Sequence, residues 1–112
     1  MAGYYELKQA SNGKHMFNLK AGNHEIILTS QMYESKDGAQ NGIASVQTNA
    51  PHDERFERKE STAGDPYFVL KAANHEVIGS SEMYSSESAM ENGIESVKTN
   101  GPTTDIKDLT DA

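Results

Sequence analysis

Two copies of an Asn-His-Glu triplet are the strongest candidates for chemistry in this sequence. They comprise Asn23, His24 and Glu25 in the first half of the chain and Asn74, His75 and Glu76 in the second half. An imidazole beside a carboxylate is typical of metal sites and of general-base pairs. Adjacent residues on a strand point to opposite faces, however, and no His-x-x-x-His spacing occurs, so no metal site is predicted.

Two interpretations of these triplets stay open. In the first, each triplet is a polar hairpin tip whose asparagine satisfies the turn. In the second, the protein binds a metal or a small ligand, or is an enzyme, and the fold brings the two triplets together. The first interpretation is favoured, because turn chemistry alone accounts for the residue types.

A second candidate surface is acidic and lies near the end of the chain. Three glutamates recur there at every fourth position, which places them on one side of a helix. They are Glu87, Glu91 and Glu95. A basic partner protein could dock on this stripe, although a solvated helix face is the commoner meaning of such a pattern.

The composition excludes several classes of function. The 112 residues include 10 Lys and Arg against 17 Asp and Glu, which gives a net charge of −7. Binding to nucleic acid or to anionic membranes requires a basic surface, so neither partner is predicted. The chain has no cysteine, which excludes disulfides and thiolate metal sites. No phosphate-binding loop, dinucleotide fingerprint or serine-nucleophile motif occurs, and no catalytic residue or cofactor is predicted.

An internal repeat organises the chain. Residues 4–51 align with residues 55–102 at a constant offset of 51, and 23 of the 48 aligned pairs are identical. Half of such a chain, about 50 residues, would be only marginally stable alone. We therefore predict one compact unit, in which repeat 1 (residues 1–51) and repeat 2 (residues 55–102) pack about a pseudo-twofold axis. The pattern leaves open whether strands are exchanged between the repeats.

Two further segments complete the predicted organisation. Residues 52–54 form a short polar link between the repeats. Residues 103–112 fall outside the repeat and are predicted to be a disordered polar tail. A tandem duplication of this kind favours a monomer, with a weak dimer as the alternative.

Each repeat has the pattern of three strands followed by one helix, so the predicted fold class is α+β, with antiparallel sheets and two helices. Short alternating apolar segments separated by Gly- and Asn-containing turns predict the strands. Apolar residues at helical spacing predict helices over Lys36–Thr48 and Glu87–Thr99. Ser35 and Ser86 are the predicted N-caps.

Glycines interrupt both predicted helices at equivalent positions, Gly42 and Gly93. A glycine inside a helix costs about 1 kcal/mol relative to alanine. We predict that close approach of the helix to the sheet requires them.

Two motifs recur in the repeats and carry a resemblance to a known family. Phe-x-Leu-Lys-Ala-x-Asn occurs at Phe17–Asn23 and Phe68–Asn74, and Gly-Ile-x-Ser-Val-x-x-Asn occurs at Gly42–Asn49 and Gly93–Asn100. With these motifs the chain resembles the YegP-like family of small bacterial proteins of unknown function. The resemblance implies a small α+β unit in one or two copies, of which the tandem form is equivalent to a covalent dimer. It implies no reaction.

The turns depart from the pattern of that family. Asn-Gly is usual there, whereas this chain has Asn23-His24 and Asn74-His75. A histidine in a left-handed conformation costs about 1 kcal/mol, so either the turn differs or the histidines tolerate strain.

The sequence as a whole predicts a small cytoplasmic protein that acts as a non-enzymatic binding or protein-interaction module. Its partner would be a protein or a small ligand of unknown identity. The cytoplasm is predicted because the chain has no cysteine and its N-terminus does not have the pattern of a signal peptide.

Overall fold

A computed structural model describes residues 3–110 and shows an α+β fold, as predicted. One seven-stranded sheet carries two helices, and each repeat contributes three strands followed by one helix. In repeat 1 the elements are β1 (Tyr4–Gln9), β2 (His15–Lys20), β3 (Ile26–Ser30) and α1 (Lys36–Asn49). A 3-10 helix (Asp53–Arg55) links them to β4 (Phe56–Glu60), β5 (Pro66–Lys71), β6 (Val77–Ser80) and α2 (Glu87–Asn100) of repeat 2, and β7 (Ile106–Asp108) follows.

The two repeats join edge to edge within a single sheet. The strand order is β4-β5-β6-β3-β2-β1-β7, so the third strands of the two repeats are neighbours at its centre. There β3 pairs with β6 in antiparallel fashion, with Thr29 opposite Ser80 and Ser30 opposite Gly79. This central pairing lies at the pseudo-twofold axis, and the sheet continues outward from it in equivalent ways on both sides.

Side chains from both repeats form one shared core. Each helix contacts strands of its own repeat and of the other: α1 contacts β5 and β6, and α2 contacts β2 and β3. In both repeats an aromatic pair stacks under the helix, Phe17 on Tyr33 and Phe68 on Tyr84, with ring centroids 6.3 Å apart in each case.

The helices begin where the sequence predicts. The hydroxyl of Ser35 accepts the backbone N–H of Gly38, and the hydroxyl of Ser86 accepts that of Ala89. These bonds satisfy N–H groups that have no partner within the first turn of a helix.

The C-terminal segment differs from the sequence expectation. Residues 103–112 are predicted to be a disordered tail, whereas Ile106–Asp108 forms β7, parallel to β1. Tyr5 N–H donates to the Asp105 carbonyl at 2.9 Å, and Leu109 N–H donates to the Leu7 carbonyl at 2.9 Å. Backbone bonds hold this segment although its side chains are exposed, which is why hydropathy does not reveal it. Residues 111 and 112 lie outside the described residues.

Candidate functional site

Both Asn-His-Glu triplets lie at hairpin tips, between β2 and β3 and between β5 and β6. His24 N–H donates to the Ala21 carbonyl at 2.9 Å, and His24 then takes φ of 71°. His75 repeats this geometry with φ of 70°. The other two hairpins of the sheet place Gly13 and Gly64 in the corresponding left-handed position. The histidines therefore occupy positions that favour glycine, and they tolerate the strain.

Asparagine and glutamate of each triplet bind one another. Asn23 Nδ2 donates to Glu25 Oε1 at 3.0 Å, and Glu25 N–H donates to Asn23 Oδ1 at 3.1 Å. The bonds between Asn74 and Glu76 measure 2.8 and 3.1 Å. These side chains close the turn, as expected if each triplet is a polar hairpin tip.

The two histidines have different surroundings. His24 Nδ1 lies 2.8 Å from the hydroxyl of Tyr4, and their rings meet edge to face. At the position equivalent to Tyr4, repeat 2 has Arg55. Among residues 3–110, no three His, Asp or Glu side chains are grouped so that they could hold a metal ion.

Replacing His75 with glycine is expected to stabilise the protein by about 0.5 to 1 kcal/mol, because glycine adopts positive φ without steric cost. His24→Gly should gain less, since it also loses the contact with the Tyr4 hydroxyl. The free energy of unfolding from denaturant titration tests both variants. A His75→Gly variant that is less stable than the wild type would show that the imidazole itself stabilises the turn.

A cleft of about 340 Å³ lies where the second triplet meets repeat 1. Asn74 and Glu76 line it on one side, and Tyr33 and Ser45 line it on the other. Burial raises the pKa of the Tyr33 phenol. The fold thus brings each triplet beside the opposite repeat instead of joining the two triplets to each other.

The equivalent surface near the first triplet is more acidic. Burial raises the pKa of the Tyr84 phenol, and the negative charges of Glu82 and Glu25 raise it further. Where repeat 2 has Glu82, repeat 1 has Gln31. The two inter-repeat surfaces therefore share a tyrosine and a triplet but differ in charge.

Basic side chains of the same chain partly neutralise the predicted acidic stripe on α2. Arg58 of β4 donates to both carboxylate oxygens of Glu91, at 2.6 and 3.0 Å. Lys98 bridges Asp53 and Glu95 at 2.8 and 3.2 Å. Hydrogen bonding to Arg58 lowers the pKa of the Glu91 carboxyl. Two of the three predicted glutamates thus have basic partners already.

Glu87 differs from the other two. It begins α2, it is exposed, and within the described part of the chain it takes part in no ion pair. It lines a groove of about 350 Å³ between α2 and the β4–β5 hairpin, together with Glu60, Met90 and Glu91. This groove borders the outer edge of the sheet.

The outer strands of the sheet end in different ways. On one side β7 covers the edge of β1, and Lys36 at the start of α1 forms an ion pair with Asp108 at 2.6 Å. Hydrogen bonding to Lys36 and Thr110 lowers the pKa of the Asp108 carboxyl to about 2. On the other side β4 ends the sheet, and no strand of residues 3–110 pairs with its outer edge. The charge pattern of the three glutamates predicts their helix face but carries no information on the order of the strands beside it.

Two segments of the sequence match a known protein family. Residues 10–57 and 61–108 each match the signature of a family described as "Domain of unknown function (DUF1508)". Each matched unit begins before a hairpin, β2–β3 or β5–β6, and ends in the strand that follows the helix, β4 or β7. With these bounds, β7 belongs to the second matched segment. It has the place there that the start of β4 has in the first matched segment.

Similarity also extends over whole chains. The sequence is 61% identical over 108 residues to the UPF0339 protein YegP of Yersinia pestis, covering 96% of each chain. The fold matches the solution NMR structure of a UPF0339 protein from Shewanella oneidensis with a TM-score of 0.93 and 57% identity, over 98% of this chain and 93% of that one. It also matches the NMR structure of E. coli yegP, described as a protein of unknown function, with a TM-score of 0.94 and 52% identity, over 100% and 97% of the two chains. In residues 3–110, no helix is long and apolar enough to cross a membrane.

Proposed function

This chain belongs to the DUF1508 family of domains of unknown function, and we propose that it is a non-enzymatic interaction module that takes up an extended polypeptide segment along the outer edge of β4. One observation carries the proposal. The equivalent edge, that of β1, already pairs with a segment of this kind, β7, while β4 has no such partner among the described strands.

The backbone of β4 is suited to such pairing only along its second half. The N–H of Phe56 is already bonded to the carbonyl of Asp53 in the 3-10 helix. Arg58 corresponds to Leu7, whose carbonyl accepts a bond from the chain segment after β7. An edge strand with unpaired N–H and C=O groups is a template for strand addition. The available stretch therefore runs from Arg58 to Glu60.

The side chains of β4 restrict what can bind there. The strand reads Phe-Glu-Arg-Lys-Glu, and such charges on an edge discourage indiscriminate pairing with apolar strands. A segment with complementary charges escapes this restriction. The edge is therefore a selective surface.

The Asn-His-Glu triplets carry the alternative function, a small-ligand site or an enzyme. Asn74 and Glu76 line the inter-repeat cleft, but their polar groups are bonded to each other. A ligand would have to compete with those bonds and with the turn that they close. Within residues 3–110 no strand competes for the outer edge of β4, which is why we favour it.

The proposal is tested by NMR titration of the isotope-labelled protein with a capped octapeptide, Thr-Thr-Asp-Ile-Lys-Gln-Leu-Thr. This is the sequence of residues 103–110 with a neutral glutamine at position 108. We expect weak binding, with amide shift changes concentrated in β4 and the first turn of α2. A Glu60→Pro variant, which loses an N–H on the outer edge but keeps the pairing of β4 with β5, should show none. Absence of shifts at β4 in the wild type would remove the proposed function.

A further inference from the structure

The two ends of the sheet carry opposite charges at equivalent positions. Around β7, a basic surface of repeat 1 meets an acidic segment: Lys36 pairs with Asp108. At the position equivalent to Lys36, repeat 2 has Glu87. The same place in the fold therefore has the opposite charge.

The rest of the groove supports this reversal. At the positions equivalent to the residues that line the groove beside β4, repeat 1 has Lys8 and Lys36 and no acidic residue. The groove itself contains three carboxylates, those of Glu60, Glu87 and Glu91. Two basic residues, Arg58 and Lys59, also line it, but the guanidinium of Arg58 is already bound by Glu91 and Asp53. Its charge is therefore largely satisfied. Lys59 pairs with Glu57, at 4.0 Å, so the carboxylates of Glu60 and Glu87 remain for a ligand.

We infer that the β4 edge binds an extended segment of another protein, parallel to β4, that carries a lysine or arginine at the position where β7 has Asp108. This inference rests on the proposed function and names its partner. The parallel direction follows from β7, which runs parallel to β1 with Leu7 opposite Asp108. Because paired residues share a face of the sheet, the side chain at this position points toward the helix, where Glu87 begins α2.

A second copy of this chain is a poor occupant of the edge. Its C-terminal segment offers Asp108, which would face Glu87 at the β4 edge and repel it. The same aspartate is attracted to Lys36 in its own protein, and the covalent connection gives it a high effective concentration there. Charge thus directs the tail to β1 and leaves β4 for a basic segment.

Two further capped octapeptides test the inference, each identical to the neutral probe except at the sixth residue, which is lysine in one and aspartate in the other. The lysine peptide should bind the β4 edge about threefold more tightly than the neutral peptide, and the aspartate peptide about threefold more weakly, as for one exposed ion pair. In a Glu87→Lys variant the order should reverse. Glu34→Lys, the same charge change on an exposed residue of repeat 1, should leave the order unchanged.

The outcomes separate the two proposals. Shifts at β4 that are equal for all three peptides would overturn the charge preference while keeping strand addition. No shifts at β4 with any peptide would overturn both. Shifts at β4 that grow with protein concentration alone, without peptide, would assign the edge to a second copy and refute the basic partner.

Discussion

Replacement of Gly79 by leucine is expected to destabilise the protein by about 3 kcal/mol, the upper end of what overpacking costs. Gly79 lies in β6, where the two repeats meet. Its equivalent in repeat 1 is Leu28, whose side chain is fully buried. A Cβ atom on Gly79 would lie 2.8 Å from the Thr29 carbonyl oxygen and 3.1 Å from Cγ of Leu28. The space at the pseudo-twofold axis therefore holds one leucine where strict symmetry would require two.

Exchange of the two residues tests this interpretation directly. Leu28→Gly alone should cost about 4 kcal/mol, because it leaves a cavity and a flexible strand residue. The double variant Leu28→Gly/Gly79→Leu places one leucine at the axis from the other side. We expect the double variant to lose less stability than the sum of the single changes, although the contact of the new Cβ atom with the Thr29 carbonyl oxygen remains.

Thermal and denaturant unfolding of the four proteins provides the measurement. Ser80→Leu serves as the control, because Ser80 is the next residue of β6 and points to the opposite face of the sheet. It should change the stability by less than about 1 kcal/mol. Additive losses in the double variant would show that the two side chains do not share one space.

The elements of each repeat could be predicted because local rules determine them. Alternating apolar residues define the strands, and Ser35 and Ser86 cap the helices that they were predicted to begin. The shared core was also predictable, since one sheet face and one helix cannot bury each other in so short a repeat. The continuous sheet was not, because it depends on the β3–β6 pairing, which involves only two residue pairs and leaves no separate pattern in the sequence.

The candidate site was only partly predictable. The charge pattern indicated Glu87, Glu91 and Glu95, but not that Arg58 and Lys98 reach back to two of them. Those contacts depend on which strand packs beside α2. The open edge of β4 depends in turn on β7 lying at the other end of the sheet, and β7 is a short exposed segment held by backbone bonds. The order of the strands therefore determines that Glu87 is the glutamate of α2 without a basic partner among residues 3–110.

The glycines inside the helices were predicted to allow close approach, and the structure shows what approaches them. A Cβ atom on Gly42 would lie 2.7 Å from Cζ of Tyr33 and 3.0 Å from Cε2 of Phe17. On Gly93 it would lie 2.7 Å from Cζ of Tyr84. The neighbour is thus mainly the tyrosine that follows the third strand, inserted between helix and sheet. Tyr33 also lines the inter-repeat cleft.

Gly42→Ala is therefore expected to destabilise the protein by about 1 to 2 kcal/mol, although alanine is the better helix former by about 1 kcal/mol. The added methyl group must displace the Tyr33 ring from its stacking on Phe17. In a Tyr33→Ala background the conflict with the ring is absent. Cε2 of Phe17, 3.0 Å from the added Cβ atom, can then move into the space that the ring leaves, and the gain in helix propensity remains. There Gly42→Ala should stabilise the protein by about 0.5 to 1 kcal/mol. Its effect on the free energy of unfolding therefore has the opposite sign in the two backgrounds.

The reversal of sign distinguishes a steric requirement from a requirement for flexibility. If Gly42 served to loosen the helix, alanine would have the same effect with or without the tyrosine ring. Gly38→Ala is the matched control, because a Cβ atom there meets its nearest neighbours at 3.3 and 3.5 Å, which the helix can accommodate. It should be neutral or stabilising in both backgrounds, as judged from denaturant unfolding. Equal effects of Gly42→Ala in the two backgrounds would refute the tyrosine as the cause, and the same test applies to Gly93 with Tyr84.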